Sequence, residues 1–217
     1  MVVCKWIATA AARGPLVFTI LCFAGIIAAH PTSAAEPEPS LSREAAGSTA
    51  IKLRQIQEGA LPGHSFGLVR ISEAEANSYL HYEMESDLPP GVSKPRLKFQ
   101  PGRPQGFAEV DFDKIKEASK TPPNPLVDYF LRGVHTLGVD GTLYGSGGAG
   151  QFHLESVTLD GIAMPRAVVD YLIEHYLNAH YPDVSIDRPF SMPFSIDKLS
   201  VEAGSLVLAG RPMRSGR

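Results

Sequence analysis

The stretch PRAVVDYLIEHYLNAHY, residues 165–181, contains the strongest helical pattern of the chain. Its apolar residues recur at spacings of three and four, which places them on one broad face of a helix. They are Val168, Val169, Leu172, Ile173, Tyr176 and Leu177. Pro165 suits the first position of a helix, and Pro182 would end it. The pattern therefore predicts a long amphipathic helix over 165–181 whose apolar face packs on a core.

On both sides of this helix, polar and apolar residues alternate as they do in half-buried antiparallel strands. The alternation runs through 96–99, 108–112, 137–144, 151–159 and 196–208, with Gly-containing turns between the segments. Hairpins outnumber possible β–α–β crossovers, so the expected fold class is α+β with a strongly curved antiparallel sheet.

An earlier helix is predicted over about 73–85. Ser72-Glu73-Ala74-Glu75 is a capping box, in which the Ser72 hydroxyl and the Glu75 carboxylate satisfy free backbone N–H groups. The polar amide of Asn77 lies near the apolar face of this helix and must find hydrogen-bond partners. We expect Asn77 to anchor the helix to a neighbouring strand.

Residues 1–35 have the parts of a secretory signal peptide: a basic start, an apolar run over 15–29 and small residues at 33–35. The run is shorter than the roughly 20 residues that cross a bilayer. We expect export to the periplasm or cell envelope, with an uncleaved N-terminal membrane anchor as the alternative. Residues 36–50, rich in Pro, Ser and Ala, predict a flexible lead-in. A single domain over 51–210 and a frayed tail over 211–217 follow, and for 51–56 a strand and a short helix fit equally.

Loss of residues 1–35 would remove both cysteines, Cys4 and Cys22. The remaining chain could then form no disulfide scaffold, thiolate site or Cys-ligated metal site. The formal charge would fall from −3 to −5, because Lys5 and Arg13 are lost with the same segment. This acidity argues against a nucleic-acid partner, which favours a basic protein face.

Two motifs are interpreted as structural. Gly145 to Gly150 matches the G-x-G-x-x-G pattern of dinucleotide sites, but a strand-like stretch follows it where such a site needs a helix, so a connecting loop is predicted. The histidines after residue 35 lack zinc-binding spacing, and His175 and His180 are five residues apart. They are expected at the surface or at a rim, and no metal or cofactor is predicted. The six are His64, His81, His135, His153, His175 and His180.

Two carboxylates leave an enzymatic alternative open. Asp111 and Asp113 flank Phe112, and strand alternation would place both on the same face, as a glycoside hydrolase or a hard cation could use. The solvated side of a strand is the favoured interpretation, with Asp113 capping a short helix over 114–119. No catalytic residue is assigned.

The order of elements resembles the small exported bacterial members of the TULIP (tubular lipid-binding) superfamily, over about Ile51 to Gly210. The resemblance rests on the capped helix SEAEANSYL at 72–80, the strands with Pro-Gly turns, and VTLDGIAMP at 157–165 leading into the long helix. A strand containing Pro193 and a closing hairpin with Gly204 complete it. It implies a curved antiparallel sheet wrapped around the long helix, with lipid chains in the apolar groove between them. The family supplies no catalytic residues.

The resemblance implies an exported protein that binds, presents or shuttles a lipid or other apolar ligand without chemistry. The membrane surface and envelope proteins are further expected partners. An envelope hydrolase and a protein–protein interaction module are the alternatives. For any single residue a closed core is the favoured interpretation. The residues expected to line the groove, if it is open, are Leu80, Met84, Phe99, Phe112, Phe130, Val169, Ile173 and Leu177.

Overall fold

A computed structural model of the protein describes residues 40–61, 64–118, 131–174 and 188–211. Within these residues, nine strands form one large, curved, open sheet whose paired strands run antiparallel. Four α-helices of the described part of the chain accompany the sheet. The fold class is therefore α+β, as the alternating segments predicted.

The helices and strands are numbered in chain order. The helices are α1 (Arg43–Glu58), α2 (Glu73–Glu83), α3 (Phe112–Ala118) and α4 (Arg166–Leu172), with one 3₁₀ turn at Glu85–Asp87. The strands are β1 (Leu68–Ser72), β2 (Val92–Gln100), β3 (Arg103–Asp111), β4 (Val134–Ser146), β5 (Ala149–Leu159), β6 (Ile162–Ala163), β7 (Pro189–Ser191), β8 (Ile196–Glu202) and β9 (Ser205–Gly210).

Strand β4 pairs with β3, β5 and β8. The order of strands in the sheet is β1-β9-β8-β4-β3-β2. One edge of β4 pairs with β5, and its other edge pairs first with β3 and then, over its last three residues, with β8. The β2–β3 turn lies beside β4, between the stretch that pairs with β3 and the stretch that pairs with β8. There the Gly102 N–H donates to the Val201 carbonyl at 2.9 Å, and the Gly102 carbonyl accepts from Leu143 N–H at 3.0 Å. This division of one strand edge between two partners joins the two halves of the sheet.

The β4–β5 hairpin confirms the structural interpretation of the G-x-G-x-x-G stretch. Only Gly147 and Gly148 form the turn, and both have positive φ (62° and 80°), a conformation that favours glycine. Gly145 and Gly150 pair with each other within the strands, so the loop is shorter than predicted. Strand β5 follows directly.

A β-bulge explains why the apolar positions of β5 change phase. Leu154 lies opposite Gly141 and Ser156 lies opposite Asp140, so Glu155 is an extra residue without a partner in register. Phe152 and Leu154 before the bulge therefore face the same side as Val157 after it. We call this side of the sheet, which carries the core, the inner face.

Helix α1 corrects two predictions. Residues 43–50 are not a flexible lead-in but the first half of a helix, and the domain therefore begins before residue 51. The Ser42 side chain accepts from Ala45 N–H and caps the helix. Buried residues recur at helical spacing along it, namely Ala46, Thr49, Leu53 and Ile56. Burial of this face gives the segment the apolar contacts that its composition alone does not suggest.

Helices α1 and α2 are joined through Glu75. Its carboxylate accepts from the capping residue Ser72 and, on α1, from the Ser48 hydroxyl at 2.7 Å and the Lys52 ammonium at 2.6 Å. Burial alone would raise the pKa of Glu75. The hydrogen bonds from Lys52, from the Ser72 backbone and from Ser48 outweigh burial and lower that pKa from 4.5 to about 2. The capping box, predicted from sequence, thus also joins two helices.

Asn77 anchors α2 to strand β2, as predicted. Its Oδ1 accepts from Leu97 N–H at 2.7 Å, and its Nδ2 donates to the Leu97 carbonyl at 2.8 Å and to the Glu73 carbonyl at 2.9 Å. The Glu73 carboxylate accepts from Phe99 N–H at 2.8 Å. Side chains of α2 therefore take the place of a further strand along this edge of β2.

Among the described residues, two apolar clusters fill the interior. The larger lies among α1, α2 and the inner face of the sheet, and the smaller consists of Val110, Phe112 and Leu131. Half-buried Leu137 and Met164 pack against both clusters and so connect them.

The long helix predicted over 165–181 is described only in its first part. Pro165 is the N-cap rather than the first helical residue, α4 covers Arg166–Leu172, and residues 173–174 continue as a π-turn. Pro193 lies between β7 and β8 and not within a strand. Outside the described residues lie the predicted signal peptide (1–35), 36–39, Phe130, 175–187 with Leu177, and the tail beyond Arg211.

Candidate functional site

A row of apolar residues crosses the inner face of the sheet from β3 to β6. Ala108 lies opposite Leu137, Leu137 opposite Leu159, and Leu159 opposite Ile162. Residues directly opposite each other point to the same face, so the four side chains form one row. Protein cover decreases along this row: the first three are half-buried, but Ile162 is 73% exposed.

Helix α4 and the residue that leads into it extend this apolar surface. Val169 is buried in the larger cluster, and Ile173 is half-buried against it. Met164 and Leu172 are half-buried against the smaller cluster. We define the apolar strip as the six residues that are apolar and incompletely covered at this junction: Leu137, Leu159, Ile162, Met164, Leu172 and Ile173.

The residues predicted to line a groove are divided between the two clusters. Leu80, Met84, Phe99 and Val169 belong to the larger cluster, where each is at most 4% exposed. Phe112 belongs to the smaller cluster. Ile173 packs against the larger cluster and is also part of the apolar strip. Phe130 and Leu177 lie outside the described residues.

A polar group of residues lies at the end of the smaller cluster. The Nδ1 atom of His135 is 2.7 Å from Asp160 Oδ2, and its Nε2 atom is 2.7 Å from the Arg132 carbonyl oxygen. The other Asp160 oxygen accepts from Thr136 N–H at 2.8 Å. The hydrogen bond with Asp160 raises the pKa of His135 and lowers the pKa of the Asp160 carboxyl. Because Nε2 faces a backbone carbonyl, this His–Asp pair does not present that nitrogen to a substrate.

Asp160 occupies the hairpin turn between β5 and β6. Asp160 and Gly161 both have positive φ, 51° and 79°, as a two-residue type I′ turn requires. The Asp160 N–H donates to the Thr136 carbonyl at 2.8 Å, which holds the turn against β4. The turn therefore sets the position of Ile162, the exposed end of the apolar strip.

The prediction that Asp111 and Asp113 share a strand face is wrong. Asp111 is the last residue of β3, and Asp113 lies in the first turn of α3. Asp111, not Asp113, caps α3: its carboxylate accepts from Lys114 N–H at 3.2 Å, and this contact lowers its pKa. Asp113 accepts from Gly133 N–H at 2.9 Å. Both carboxylates therefore accept hydrogen bonds from backbone N–H groups near the ends of helices or strands.

A second polar cluster lies on the outer face of the sheet, beside the bulge. Arg103 binds Asp140 at 2.9 Å and the bulge residue Glu155 at 2.5 Å. Asp140 is 8% exposed, and its Oδ1 atom is buried without a hydrogen-bond partner among the described residues. Because β3, β4 and β5 all contribute, the cluster ties three strands together.

The histidines lie mainly where the sequence predicted. His64, His81 and His153 are exposed, and the side chain of His135 is 24% exposed at the rim of the smaller cluster. His175 and His180 lie outside the described residues. In the part of the chain that the structure describes, three or more potential ligands from His, Cys, Asp and Glu nowhere come together as a metal site would need. No helix in that same part is both long and apolar enough to cross a membrane.

Sequence reasoning missed Ile162, Leu137 and the His135–Asp160 pair. A local signal existed for Ile162, because the Asp-Gly dipeptide at 160–161 is typical of a two-residue hairpin and would have placed Ile162 opposite Leu159. No local signal existed for the pairing of His135 with Asp160, which are 25 residues apart.

No protein-family model matches the chain. No curated protein matches it either. The fold and the apolar strip are therefore the basis for assigning a function.

Proposed function

We propose that this chain is an exported carrier that binds a lipid acyl chain along the apolar strip, without chemistry. The observation that supports this proposal most directly is the decrease in cover along the inner-face row, from half-buried Ala108 to Ile162 at 73% exposure. Together with the half-buried Met164 and Leu172, the exposed Ile162 forms an apolar surface that a ligand can cover. An acyl chain laid along the strip would complete that cover.

The magnitude of the hydrophobic effect makes such binding feasible. A chain of about 14 methylenes contributes about 11 kcal/mol, at about 0.8 kcal/mol each. Association costs about 4 kcal/mol of translational and rotational freedom at the low end of its range. The difference, about 7 kcal/mol, corresponds to a dissociation constant of the order of 10 µM. No polar recognition motif is needed to reach this affinity.

The resemblance to the TULIP superfamily supports the same proposal. The described sheet is curved and antiparallel, and α4 packs against the larger cluster through Val169 and Ile173. In our proposal the ligand lies between α4 and the sheet. The signal-like segment 1–35 would direct the carrier to the periplasm or cell envelope.

A fluorescent fatty acid titrated into the protein tests this proposal. The variant Ile162→Asp places a carboxylate at the exposed end of the strip and should weaken binding at least tenfold. Val134→Asp is the matched control, because Val134 is 60% exposed but lies on the outer face, one position from the inner-face His135. It should leave binding unchanged.

Two results would contradict the proposal. Wild-type protein that binds no fatty acid up to about 100 µM, ten times the expected dissociation constant, would show that the strip is not a lipid site. Equal losses in Ile162→Asp and Val134→Asp would place binding elsewhere. Native mass spectrometry of protein purified from its own membranes adds a separate test: bound lipid masses support the carrier, and a defined protein complex supports the interaction module.

A further inference from the structure

The imidazole of His135 connects three separate pieces of chain. The residue itself lies in β4, its Nδ1 atom contacts Asp160 in the β5–β6 turn, and its Nε2 atom contacts the Arg132 carbonyl in the segment that leads into β4. Both contacts are 2.7 Å long, which is short for hydrogen bonds from nitrogen to oxygen and typical of a charged donor.

The chemistry of the partners fixes the protonation state that this geometry requires. An ionised carboxylate and a backbone carbonyl can only accept hydrogen bonds. A neutral imidazole carries one N–H and can donate to one of them, whereas the imidazolium carries two. Both contacts can therefore be hydrogen bonds only when His135 is protonated.

The charged side chains that raise the pKa of the ring are both acidic. Asp160 faces the ring from the β5–β6 turn. The charge of Asp113, on α3, also raises the pKa of the ring, and Asp113 lies 3.7 Å from Lys116. From α3 the ring of Phe112 lies 6.0 Å away, and from β3 the residue opposite His135 is the apolar Val110. The Arg132 segment contributes its carbonyl. The surroundings therefore favour the cation, in agreement with the raised pKa of His135.

We propose that His135 is a pH-dependent clamp: its imidazolium holds the β5–β6 turn and the Arg132 segment together on β4, and loss of the proton releases one of the two. The clamp acts on the fold itself and does not depend on lipid binding. Because the turn carries Ile162, the clamp controls how firmly the exposed end of the apolar strip is held. Its effect on stability has a definite sign. The stabilisation is complete below pH 6.5, the ordinary pKa of histidine, and is lost as the pH rises through the higher pKa of the folded state.

Nuclear magnetic resonance on the full chain tests the clamp. The ring protons of His135 should titrate above pH 6.5. Hydrogen exchange, corrected for the intrinsic rate, should accelerate through the same titration at the amide of the released segment, Asp160 in the turn or Gly133 beside Arg132. The acceleration should be at least about threefold, as loss of one charge-assisted bond implies. In His135→Gln this pH dependence should disappear, and in Asp160→Asn the pKa of His135 should fall. His81→Gln, which removes an exposed histidine on α2, is the control and should keep the wild-type pH dependence.

The clamp is wrong if His135 titrates at or below pH 6.5, or if exchange at neither Asp160 nor Gly133 follows the titration of His135. An unchanged pH dependence in His135→Gln would equally overturn it. Both wild-type measurements decide the question even if a variant fails to fold.

Discussion

Replacement of Asn77 by alanine should destabilise the protein more than its single lost side chain suggests. Asn77 is 1% exposed, and its side chain hydrogen-bonds both the N–H and the carbonyl of Leu97, at 2.7 and 2.8 Å. This edge of β2 faces α2 instead of another strand. In Asn77→Ala the Leu97 N–H and carbonyl groups would therefore remain buried without a partner.

The magnitude follows from these two groups. A buried polar group that loses its partner costs about 1–3 kcal/mol, so two cost about 2–6 kcal/mol. The Glu73 carbonyl, the third partner of Asn77, is also available to the helix backbone and adds little. Alanine restores about 0.5 kcal/mol through its higher helix propensity. We expect a net loss of about 1.5–5.5 kcal/mol in the free energy of unfolding.

Urea denaturation followed by circular dichroism measures this loss. The midpoint should fall while the slope of the transition stays constant, because the folded state and the surface that it buries do not change. Glu83→Ala is the control: Glu83 is exposed on the same helix, and its replacement should change the unfolding free energy by less than about 0.5 kcal/mol. A loss below about 1 kcal/mol in Asn77→Ala would refute the claim that α2 side chains replace a strand along β2.

Two further predictions concern the α1–α2 junction and the bulge. Because the pKa of Glu75 is about 2, Glu75→Gln should lower the free energy of unfolding at pH 7 by up to about 3 kcal/mol. At pH 3 this loss should be smaller by half or more. The reason is that a lowered pKa gives stability that is lost as the pH falls from 4.5 towards 2. Equal deficits in urea denaturation at both pH values would contradict this. In Gly141→Ala the new Cβ would collide with the Phe152 ring and the His153 carbonyl, so thermal unfolding should show a loss of at least about 2 kcal/mol. Its control, Gly47→Ala on α1, has open space and should stabilise by about 0.5–1 kcal/mol; the same sign in both variants would be inconsistent with the structure.

The parts of the fold that sequence predicted correctly depend on neighbours along the chain. The capping box at Ser72 and Glu75 fixes the start of α2 through contacts within one turn. Alternation identified the strands, since it records which side of each strand is buried. The role of Asn77 followed from the rule that a buried amide needs partners, although only the structure shows that Leu97 supplies them.

The parts that sequence did not predict have two different causes. Helix α1 was missed although its buried positions recur at helical spacing, because the Ser- and Ala-rich composition of 36–50 resembles a disordered segment. The His135–Asp160 pair and the Arg103–Asp140–Glu155 cluster had no local signal, because strand pairing brings their members together. The apolar strip had a local signal in part. The Asp-Gly dipeptide indicated a turn before Ile162, but the exposure of Ile162 follows from the pairing of β5 with β6.

A photoreactive fatty acid tests the central claim most directly, because it reports where the chain lies. A fatty acid with a diazirine in its alkyl chain, irradiated with the protein and mapped by peptide mass spectrometry, should label residues of the apolar strip, with Ile162, Met164 and Leu172 foremost. Excess unlabelled fatty acid should suppress that labelling. Labelling confined to the outer face around Val134, or labelling that the competitor does not reduce, would contradict the account.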